Sequence, residues 1–497
     1  MSNLYALVLG AIVLTLFSVS VFRLHTVKTK ADYLVAGRSL PAVVLVFTLL
    51  CSWIGSGSLL GGAENAYRHG FAALWQGGGG WAGLLLIYFI APRARKFAQF
   101  TIPDLLEVRY NQTARVLGVI AILFTYTAIT SYQFVGGGDI LHLIFPNVIT
   151  PDLGKYIVAG FVIIFTAIAG MASVAYMDLA IGLLATFTLI LALPIAVHHA
   201  GGWSTVHASL PATHFQFFGD LTPLQCMELF IPTCLLLLGN QSMYQKFFSA
   251  KSEKDATRAV IGWIIGTVIL ETVIVALAIT GSVLFPKGEV HDRPREILAY
   301  IGLHGFSGSP ALQLLGALLM GAIFAKIIST ANNWLFSPAT NLVNDIYLRY
   351  IAPDASNKRI LAISRLMVVL LGVWALYQSL NINSVLKKSL YAYTIYSAAL
   401  TPVILACFFW KRATAAAAVS SIAAGTVVTI GWNTAFPENT VSPALLRMGF
   451  PPHLASVLAP HDAIFPALLI SLLCLFVISA VTKPPRPEQV AQFFPEN

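Results

Sequence analysis

The chain has 497 residues, of which 57% are hydrophobic and only 10% are charged, and its formal net charge is +9. So apolar a composition is typical of a protein that crosses a membrane many times, and it excludes a large soluble domain. The positive charge is sorted between alternate loops, which indicates an orientation in a membrane and argues against nucleic acid as a partner.

Thirteen apolar segments are long enough to cross the hydrocarbon core of a bilayer, which is about 30 Å thick. The first segment lacks a basic start and a small-residue cleavage site, so we expect it to be a retained span and not a signal peptide. The sequence therefore predicts an all-α membrane protein with about 13 transmembrane helices. In chain order the segments cover residues 4–22, 41–62, 71–92, 114–142, 154–170, 173–199, 222–243, 256–285, 310–343, 360–380, 385–410, 413–435 and 462–482.

Lysine and arginine residues concentrate in every second loop between these segments. By the positive-inside rule, the loops rich in basic residues face the cytoplasm. We therefore expect a multi-pass protein of the cell membrane, with an external N-terminus and a cytoplasmic C-terminus. The basic loops carry Arg23, Lys28, Lys30, Arg38, Arg93, Arg95, Lys96, Arg109, Arg115, Lys246, Lys251, Lys254, Arg258, Arg349, Lys358, Arg359, Arg365, Lys411, Arg412, Lys483 and Arg486.

The second and seventh segments are each interrupted by polar, helix-breaking residues. The second contains SWIGSGS at residues 52–58, and the seventh contains GNQ at residues 239–241. Unwound backbone at membrane depth is tolerated only where protein buries it or where it lines a water-filled cavity, so each interruption points to an internal site. Two interruptions in corresponding positions favour a secondary transporter with inverted repeats.

Segments two to six and segments seven to eleven each form a set of five spans. Because five is an odd number, the second set must have the opposite orientation in the membrane, which predicts an inverted repeat. The interrupted helices then meet near the bilayer midplane, where helix ends offer partial charges and free carbonyls to ions and solutes. The predicted organisation is an extra helix and loop in residues 1–40, the first repeat in 41–200, the inverted second repeat in 201–412, and two peripheral helices with a short tail in 413–497.

Three short stretches are distinctive in their order and spacing: YLVAGR at residues 33–38, GNQSMYQK at residues 239–246 and NDIY at residues 344–347. With them the chain resembles the sodium:solute symporter family, whose fold is the LeuT-like inverted repeat. The residues around 53–55 and 62–64 are most similar to its high-affinity choline transporter branch and bacterial relatives. The resemblance spans nearly the whole chain and implies symport of a small polar organic solute with a cation, most often sodium, by alternating access.

The resemblance also implies a sodium site between backbone carbonyls of the second segment and hydroxyls of the ninth. The matching positions are Cys51 and Ile54 for the carbonyls and Ser329 and Thr330 for the hydroxyls. Oxygen ligands of this kind suit a hard cation. A second cation site, which many relatives have, would here use Asp178 of the sixth segment, with Asn332 and Asn333 standing where hydroxyl residues are more usual.

Lys326 departs from the family pattern, because it replaces a small residue beside the sodium site. It precedes Ser329 and Thr330 by three and four positions, so its side chain lies on their face of the helix. In one interpretation a proton on Lys326 replaces the coupling sodium, since a buried lysine can exchange a proton at physiological pH. In the other, Lys326 forms an ion pair with Asp178 and sodium coupling is retained. The sequence leaves both interpretations open.

Polar and aromatic residues near the two interruptions are the candidates for the solute site. Trp53 can hold an ammonium by cation–π attraction, and Glu228 is an intramembrane carboxylate that can attract an amine. An aromatic cage of the choline type is incomplete, because Ile129 and Asn240 replace aromatic residues, and we expect an amino acid or amine. Each side chain could instead serve packing or hydrogen bonding between helices. The candidates are Trp53, Ser56, Gln76, Tyr126, Gln133, Glu228, Thr233, Asn240, Tyr393 and Tyr396.

Three other classes of membrane protein are less consistent with these patterns. A channel would also line a pore with polar residues, but the paired interruptions favour alternating access. A membrane-embedded enzyme would need a nucleophile or metal cluster, and the sequence has no HExxH motif. A sensor would need a signalling domain, for which the tail after Lys483 is too short. We therefore expect a small-molecule solute and the lipid bilayer as partners and no nucleic acid, while the sequence does not indicate an oligomeric state.

Overall fold

The computed structural model describes residues 2–23, 35–97, 101–168, 171–286, 289–437 and 440–494. Eleven helices in these ranges are long and apolar enough to cross a membrane, and the shorter apolar helices Asn3–Thr15 and Ala42–Trp53 complete the thirteen segments. The predicted fold class, an all-α membrane protein, is confirmed. Lys28 and Lys30 of a predicted basic loop, Tyr33 and Leu34 of the first family-like stretch, and residues 169–170 of the fifth predicted segment lie outside the described residues.

We number the membrane segments α1 to α13 in chain order, and a and b denote the two parts of an interrupted segment. They are α1 (Ser2–Arg23), α2a (Ala42–Trp53), α2b (Gly57–Gly62 and Ala63–His69), α3 (Leu74–Phe97), α4 (Gln112–Ile144), α5 (Pro151–Ile168), α6 (Met171–His199), α7a (Pro223–Gly239), α7b (Gln241–Ser249), α8 (Glu253–Leu284), α9 (Pro310–Asn341, continued by Leu342–Ile351), α10 (Asn357–Ser379), α11a (Val385–Ala399), α11b (Thr401–Phe409), α12 (Ala415–Ala435) and α13 (Ile464–Val481).

Many of these helices begin at a residue whose side chain accepts a hydrogen bond from the backbone of the first turn. A hydroxyl or amide in this position satisfies one of the N–H groups that have no partner inside the helix. Such caps explain why the helices start where they do between polar loops. The capping residues are Asn111, Ser252, Ser309, Ser356, Ser384 and Thr414.

Consecutive helices run in opposite directions between two faces of the molecule. The face at which α1 begins, here called the N-terminal face, also holds the loop between α8 and α9, since the Tyr5 hydroxyl donates to the Gly302 carbonyl at 3.0 Å. At the other face, the C-terminal face, Leu40 before α2a pairs with Ala250 after α7b. The sets α2–α6 and α7–α11 therefore have opposite orientations, and each begins with an interrupted helix. The exact boundaries of the four predicted regions stay a prediction.

Both interruptions fall where the sequence predicts them. In α2, Ile54 has the extended angles φ −82° and ψ 94°, and the chain resumes as a wide π-type turn from Gly57. In α7, Asn240 is also extended, with φ −61° and ψ 113°, and its side chain accepts from the Met243 N–H to begin α7b. The backbone on both sides of each interruption therefore has polar groups that the helix does not satisfy.

The helix α3 packs backbone to backbone on α7a through the glycines of its first half. A Cβ on Gly79 would lie 2.2 Å from the Phe230 carbonyl oxygen, and one on Gly83 would lie 2.5 Å from that of Cys234. Only glycine permits this approach. The peripheral helices α12 and α13 pack on each other and on α11.

Candidate functional site

Side chains of α4 and α9 hold the unwound backbone of α2. The Gln133 side-chain oxygen accepts from the Ser56 N–H at 2.8 Å, and the Trp334 indole N–H donates to the Ser52 carbonyl at 2.7 Å. Both contacts are buried, where an unpaired backbone group would be costly. Gln133, one of the predicted solute residues, therefore supports the interruption directly.

Two tyrosines hold the interruption of α7 in the same way. The Tyr126 hydroxyl donates to the Asn240 side-chain oxygen at 3.0 Å and accepts from the Ser242 N–H at 3.1 Å. The Tyr396 hydroxyl donates to the Gly239 carbonyl at 2.7 Å and accepts from the Gln241 N–H at 3.0 Å. The two rings stack with centroids 5.7 Å apart. Each hydroxyl thus satisfies one donor and one acceptor of the unwound segment.

The two interruptions lie beside each other in the core. The ring of Tyr126, which binds the α7 interruption, meets the ring of Trp334, which binds the α2 interruption, with centroids 4.5 Å apart. On the other side, a Cβ on Gly80 of α3 would lie 3.4 Å from Trp53 and 3.7 Å from Thr233. The structure therefore joins both unwound segments into one internal site.

A cluster of oxygen atoms surrounds the hydroxyl of Thr330 at the α2 interruption. This hydroxyl donates to the Cys51 carbonyl at 2.7 Å and lies 3.3 Å from the Ile54 carbonyl and 2.8 Å from that of Lys326. All four residues are buried. Carbonyl and hydroxyl oxygens in such an arrangement are the ligand types that hard cations prefer. The structure thus brings together three of the four residues that the family resemblance assigns to sodium.

The fourth, Ser329, faces the carboxylate of Asp178 on α6. That carboxylate is fully buried and accepts from Ser329 and Thr48 at 2.5 Å each and from Asn333 at 3.0 Å. The Cys51 thiol donates to the Asp178 backbone carbonyl at 3.3 Å, so this carboxylate lies next to the Thr330 cluster. Asp178 therefore links α6 to α2a and α9 at the level of the interruption.

Lys326 and Asn332 form hydrogen bonds to partners other than the Asp178 carboxylate. The Lys326 ammonium donates to the Cys51 sulfur at 3.3 Å, and within the described ranges no ion pair joins Lys326 to Asp178. The side-chain oxygen of Asn332 accepts from Thr166 on α5 at 2.9 Å. Asn332 is thus turned towards α5, and its neighbour Asn333 contacts the carboxylate instead.

Trp53 ends α2a and faces α3, α8 and α11. Its indole N–H donates to Glu271 of α8 at 2.8 Å, and its ring lies 5.9 Å from that of Tyr393. A cavity of about 20 Å³ opens beside it, lined among others by Gln76 and Glu271. Four buried side-chain atoms around the two interruptions have no hydrogen-bond partner in the described structure, and a bound solute or water would satisfy them. They are Ser56 Oγ, Gln76 Oε1, Asn240 Nδ2 and Gln241 Nε2.

Two other candidates, Glu228 and Thr233, form hydrogen bonds to other partners. Glu228 accepts from the Asp462 backbone N–H at 3.1 Å and lines a different cavity, of about 620 Å³, together with Lys387 of α11a and residues of the loop before α11. The Thr233 hydroxyl donates to Leu229 of its own helix at 2.8 Å. The structure therefore separates Glu228 from the cavity beside Trp53, and it gives Thr233 an internal hydrogen bond.

Sequence reasoning missed several residues that build the site. Thr48 lies three positions before Cys51 and Trp334 four positions after Thr330, so helical spacing places each on the face of a residue already singled out. Trp81 of α3 is different, because its indole reaches Glu271 at 2.7 Å only through the packing of α3 on α8. The spacing could have revealed the first two, whereas no local signal marks Trp81.

Comparisons with known proteins agree with this architecture. The sodium/proline symporter of Staphylococcus aureus is 26% identical over 477 residues, which cover 92% of this chain and 88% of that protein. A substrate-bound, outward-open Na⁺-coupled sialic acid symporter has a similar structure, with a TM-score of 0.75 at 18% identity over 97% of this chain and 98% of that one. A nucleobase-cation-symport-1 family transporter in a closed conformation matches with a TM-score of 0.57 at 11% identity over 94% of this chain and 99% of that one. These structural matches confirm the LeuT-like fold.

The sequence also matches a family as a whole. A model of the sodium:solute symporter family matches residues 33–425, which include both interrupted helices and the Thr330 cluster. The predicted resemblance is therefore confirmed. The chain is a multi-pass membrane transporter, not an enzyme, and it belongs to the sodium:solute symporter family.

Proposed function

We propose that the protein carries a small polar organic solute, an amino acid or amine, across the cell membrane together with sodium. The observation that carries this proposal is the Thr330 hydroxyl, which lies among the carbonyls of Cys51, Ile54 and Lys326 where α2 unwinds. The sodium/proline symporter among the relatives supports both the ion and the solute class. The specific similarity to choline transporters stays a prediction.

The α2 interruption offers a way to couple the two ligands. Cys51 and Ile54 contribute carbonyls to the cation cluster, while Trp53, between them in sequence, lines the cavity proposed for the solute. A cation that orders this short unwound segment also fixes Trp53, so the solute then binds to a site that is already ordered. Each ligand therefore increases the affinity for the other, and by linkage the effect is equal in both directions.

A second candidate is coupling to protons through Lys326. Its ammonium is fully buried and 3.3 Å from Cys51, the residue whose carbonyl belongs to the cation cluster. A positive charge so close to the cluster repels sodium, because the repulsion between like charges is strong in a dry protein interior. In this mechanism Lys326 gives up its proton on the side of release and takes up another on the side of entry.

Uptake into proteoliposomes distinguishes the two mechanisms. We test a panel of labelled amino acids, amines and carboxylates, and we expect the uptake of at least one of them to require a sodium gradient. Uptake by the Lys326→Met variant should still require sodium. Lys358→Met, at the exposed start of α10, is the matched control. Uptake driven by a pH gradient without sodium, and made insensitive to pH by Lys326→Met alone, would establish the proton mechanism instead.

We further propose that the N-terminal face lies outside the cell and the C-terminal face in the cytoplasm. The excess of lysine and arginine in the loops of the C-terminal face supports this orientation. A reporter enzyme that is active only in the cytoplasm should be active when it is fused after residue 497. A reporter that is active only outside the cytoplasm should be silent at the same position, and the reverse pattern would contradict the orientation.

A further inference from the structure

Glu271 is a carboxylate in the middle of α8, and only 6% of it is exposed. Its two oxygens accept separately from two indoles, Oε1 from Trp53 at 2.8 Å and Oε2 from Trp81 at 2.7 Å. Within the described ranges, neither lysine nor arginine forms an ion pair with it. A charged group at membrane depth is expensive unless it has a partner, so such a residue marks a functional site by default.

The surroundings of Glu271 leave hydrogen-bond acceptors free. A carboxylate has about four lone-pair positions, of which the two indoles occupy two. The Gln76 side chain is 8% exposed, and its oxygen has no hydrogen-bond partner. Gln76 and Glu271 line the same cavity with Trp53, and that indole N–H is already used by the carboxylate. The cavity therefore needs a group that donates hydrogen bonds.

The size of the cavity narrows the choice further. Its volume of about 20 Å³ is enough for one water-sized group, since a single water needs roughly 10–15 Å³. An ammonium group is about as large as a water molecule and donates up to three hydrogen bonds. It also carries the positive charge that would balance the Glu271 carboxylate. A carboxylate would be repelled by Glu271.

We propose that Glu271, Gln76 and the ring of Trp53 form the subsite for the ammonium group of the transported solute. This inference rests on the proposed transport function and deepens it, because it selects solutes with a protonated amine. The amine forms an ion pair with Glu271, donates to the Gln76 oxygen and lies against the Trp53 ring, which adds cation–π attraction. Trp81 positions the Glu271 carboxylate through the hydrogen bond from its indole N–H to Oε2.

A thermal-stability assay with named probes tests the subsite independently of transport. In the purified full-length protein we expect L-proline, L-alanine or ethanolamine to raise the unfolding temperature, and N-acetyl-L-proline and propionate to have no effect. Glu271→Gln should remove the shift that the effective amine produces. The proposed subsite is wrong if none of the three amines raises the unfolding temperature. It is also wrong if N-acetyl-L-proline and propionate raise the unfolding temperature as much as the amines do.

Uptake by variants separates a binding role from a purely structural one. Glu271→Gln should raise the amine concentration for half-maximal uptake by about 10- to 100-fold, because it removes a hydrogen-bonded charge pair. Trp432→Phe removes an indole of α12 that donates to the His461 carbonyl at 3.0 Å and does not line this cavity, so this variant should keep the preference for amines. Glu228→Gln serves as a second control, because Glu228 lines the other cavity.

Failure of this subsite is distinguishable from failure of the proposed function. Sodium-driven uptake of a neutral or acidic solute that is unaffected by Glu271→Gln would overturn the subsite and leave the transport function intact. Uptake of no solute by any form of the protein would contradict the transport function, while the thermal shifts would still decide the subsite.

Discussion

Replacing Thr330 with valine is expected to raise the sodium concentration for half-maximal uptake by about 10- to 100-fold, the effect of losing one well-placed polar ligand. Valine keeps the shape of the side chain but removes the oxygen that lies among the carbonyls of Cys51, Ile54 and Lys326. Those carbonyls also lose the hydroxyl that holds α9 against the unwound part of α2. The measurement is uptake at fixed solute concentration over a series of sodium concentrations.

Thr429→Val is the matched control for this substitution. The Thr429 hydroxyl is equally buried, but it donates only to the Gly425 carbonyl of its own helix, α12, at 2.8 Å. We expect this variant to keep the sodium dependence of the unmodified protein. A Thr330→Val variant whose sodium dependence is unchanged within a factor of two would contradict the assignment of the cation site.

Replacing Arg115 with glutamine is expected to lower the free energy of unfolding by about 3–5 kcal/mol, because it breaks a buried charge network. Arg115 lies in the first turn of α4 and pairs with Asp104 and Glu107 of the short helix Ile102–Arg109, and it lies 4.0 Å from Asp345 in the continuation of α9. Without the guanidinium, three carboxylates face one another in a largely buried place at the C-terminal face. Thermal unfolding of the purified protein in detergent measures the loss.

Arg349 provides the comparison, because it also pairs with Glu107, at 2.6 Å, but its side chain is 52% exposed. An exposed pair contributes at most about 1 kcal/mol, so Arg349→Gln should have a small effect. Adding Asp345→Asn to the Arg115→Gln variant should restore part of the stability, since it removes one of the carboxylates. Equal losses in the two arginine variants would contradict the network.

The interruptions could be predicted from the sequence because they depend on local chemistry, whereas the residues of the Thr330 cluster followed from the family resemblance. Glycine and small polar residues at 52–58 and 239–241 weaken the helix whatever packs around it. The carbonyls of Cys51 and Ile54 become available because the chain unwinds there, and Thr330 needs only the correct face of one helix to meet them. The family resemblance names Cys51, Ile54 and Thr330 position by position, and their role in binding sodium stays a prediction.

The remaining site residues depend on how separate helices pack. Membrane helices are apolar on most sides, so their periodicity does not tell which face is internal. Asn332 and Asn333 differ by one position, or about 100° around α9, and packing turns the second to Asp178 and the first to α5. An intramembrane carboxylate such as Glu271 can serve either packing or ligand binding, and the choice depends on the packing of α2, α3 and α8, which brings two indoles to it.

The glycine-lined crossing of α3 and α7a limits how the pocket can open. At Gly79 and Gly83 the two backbones touch without intervening side chains, so a shift of one helix along the other would bring larger side chains into a space that only glycine fits. We therefore expect α3 and α7a to move together as a rigid body when the pocket opens. The extended residue Asn240 would then be the hinge between α7a and α7b.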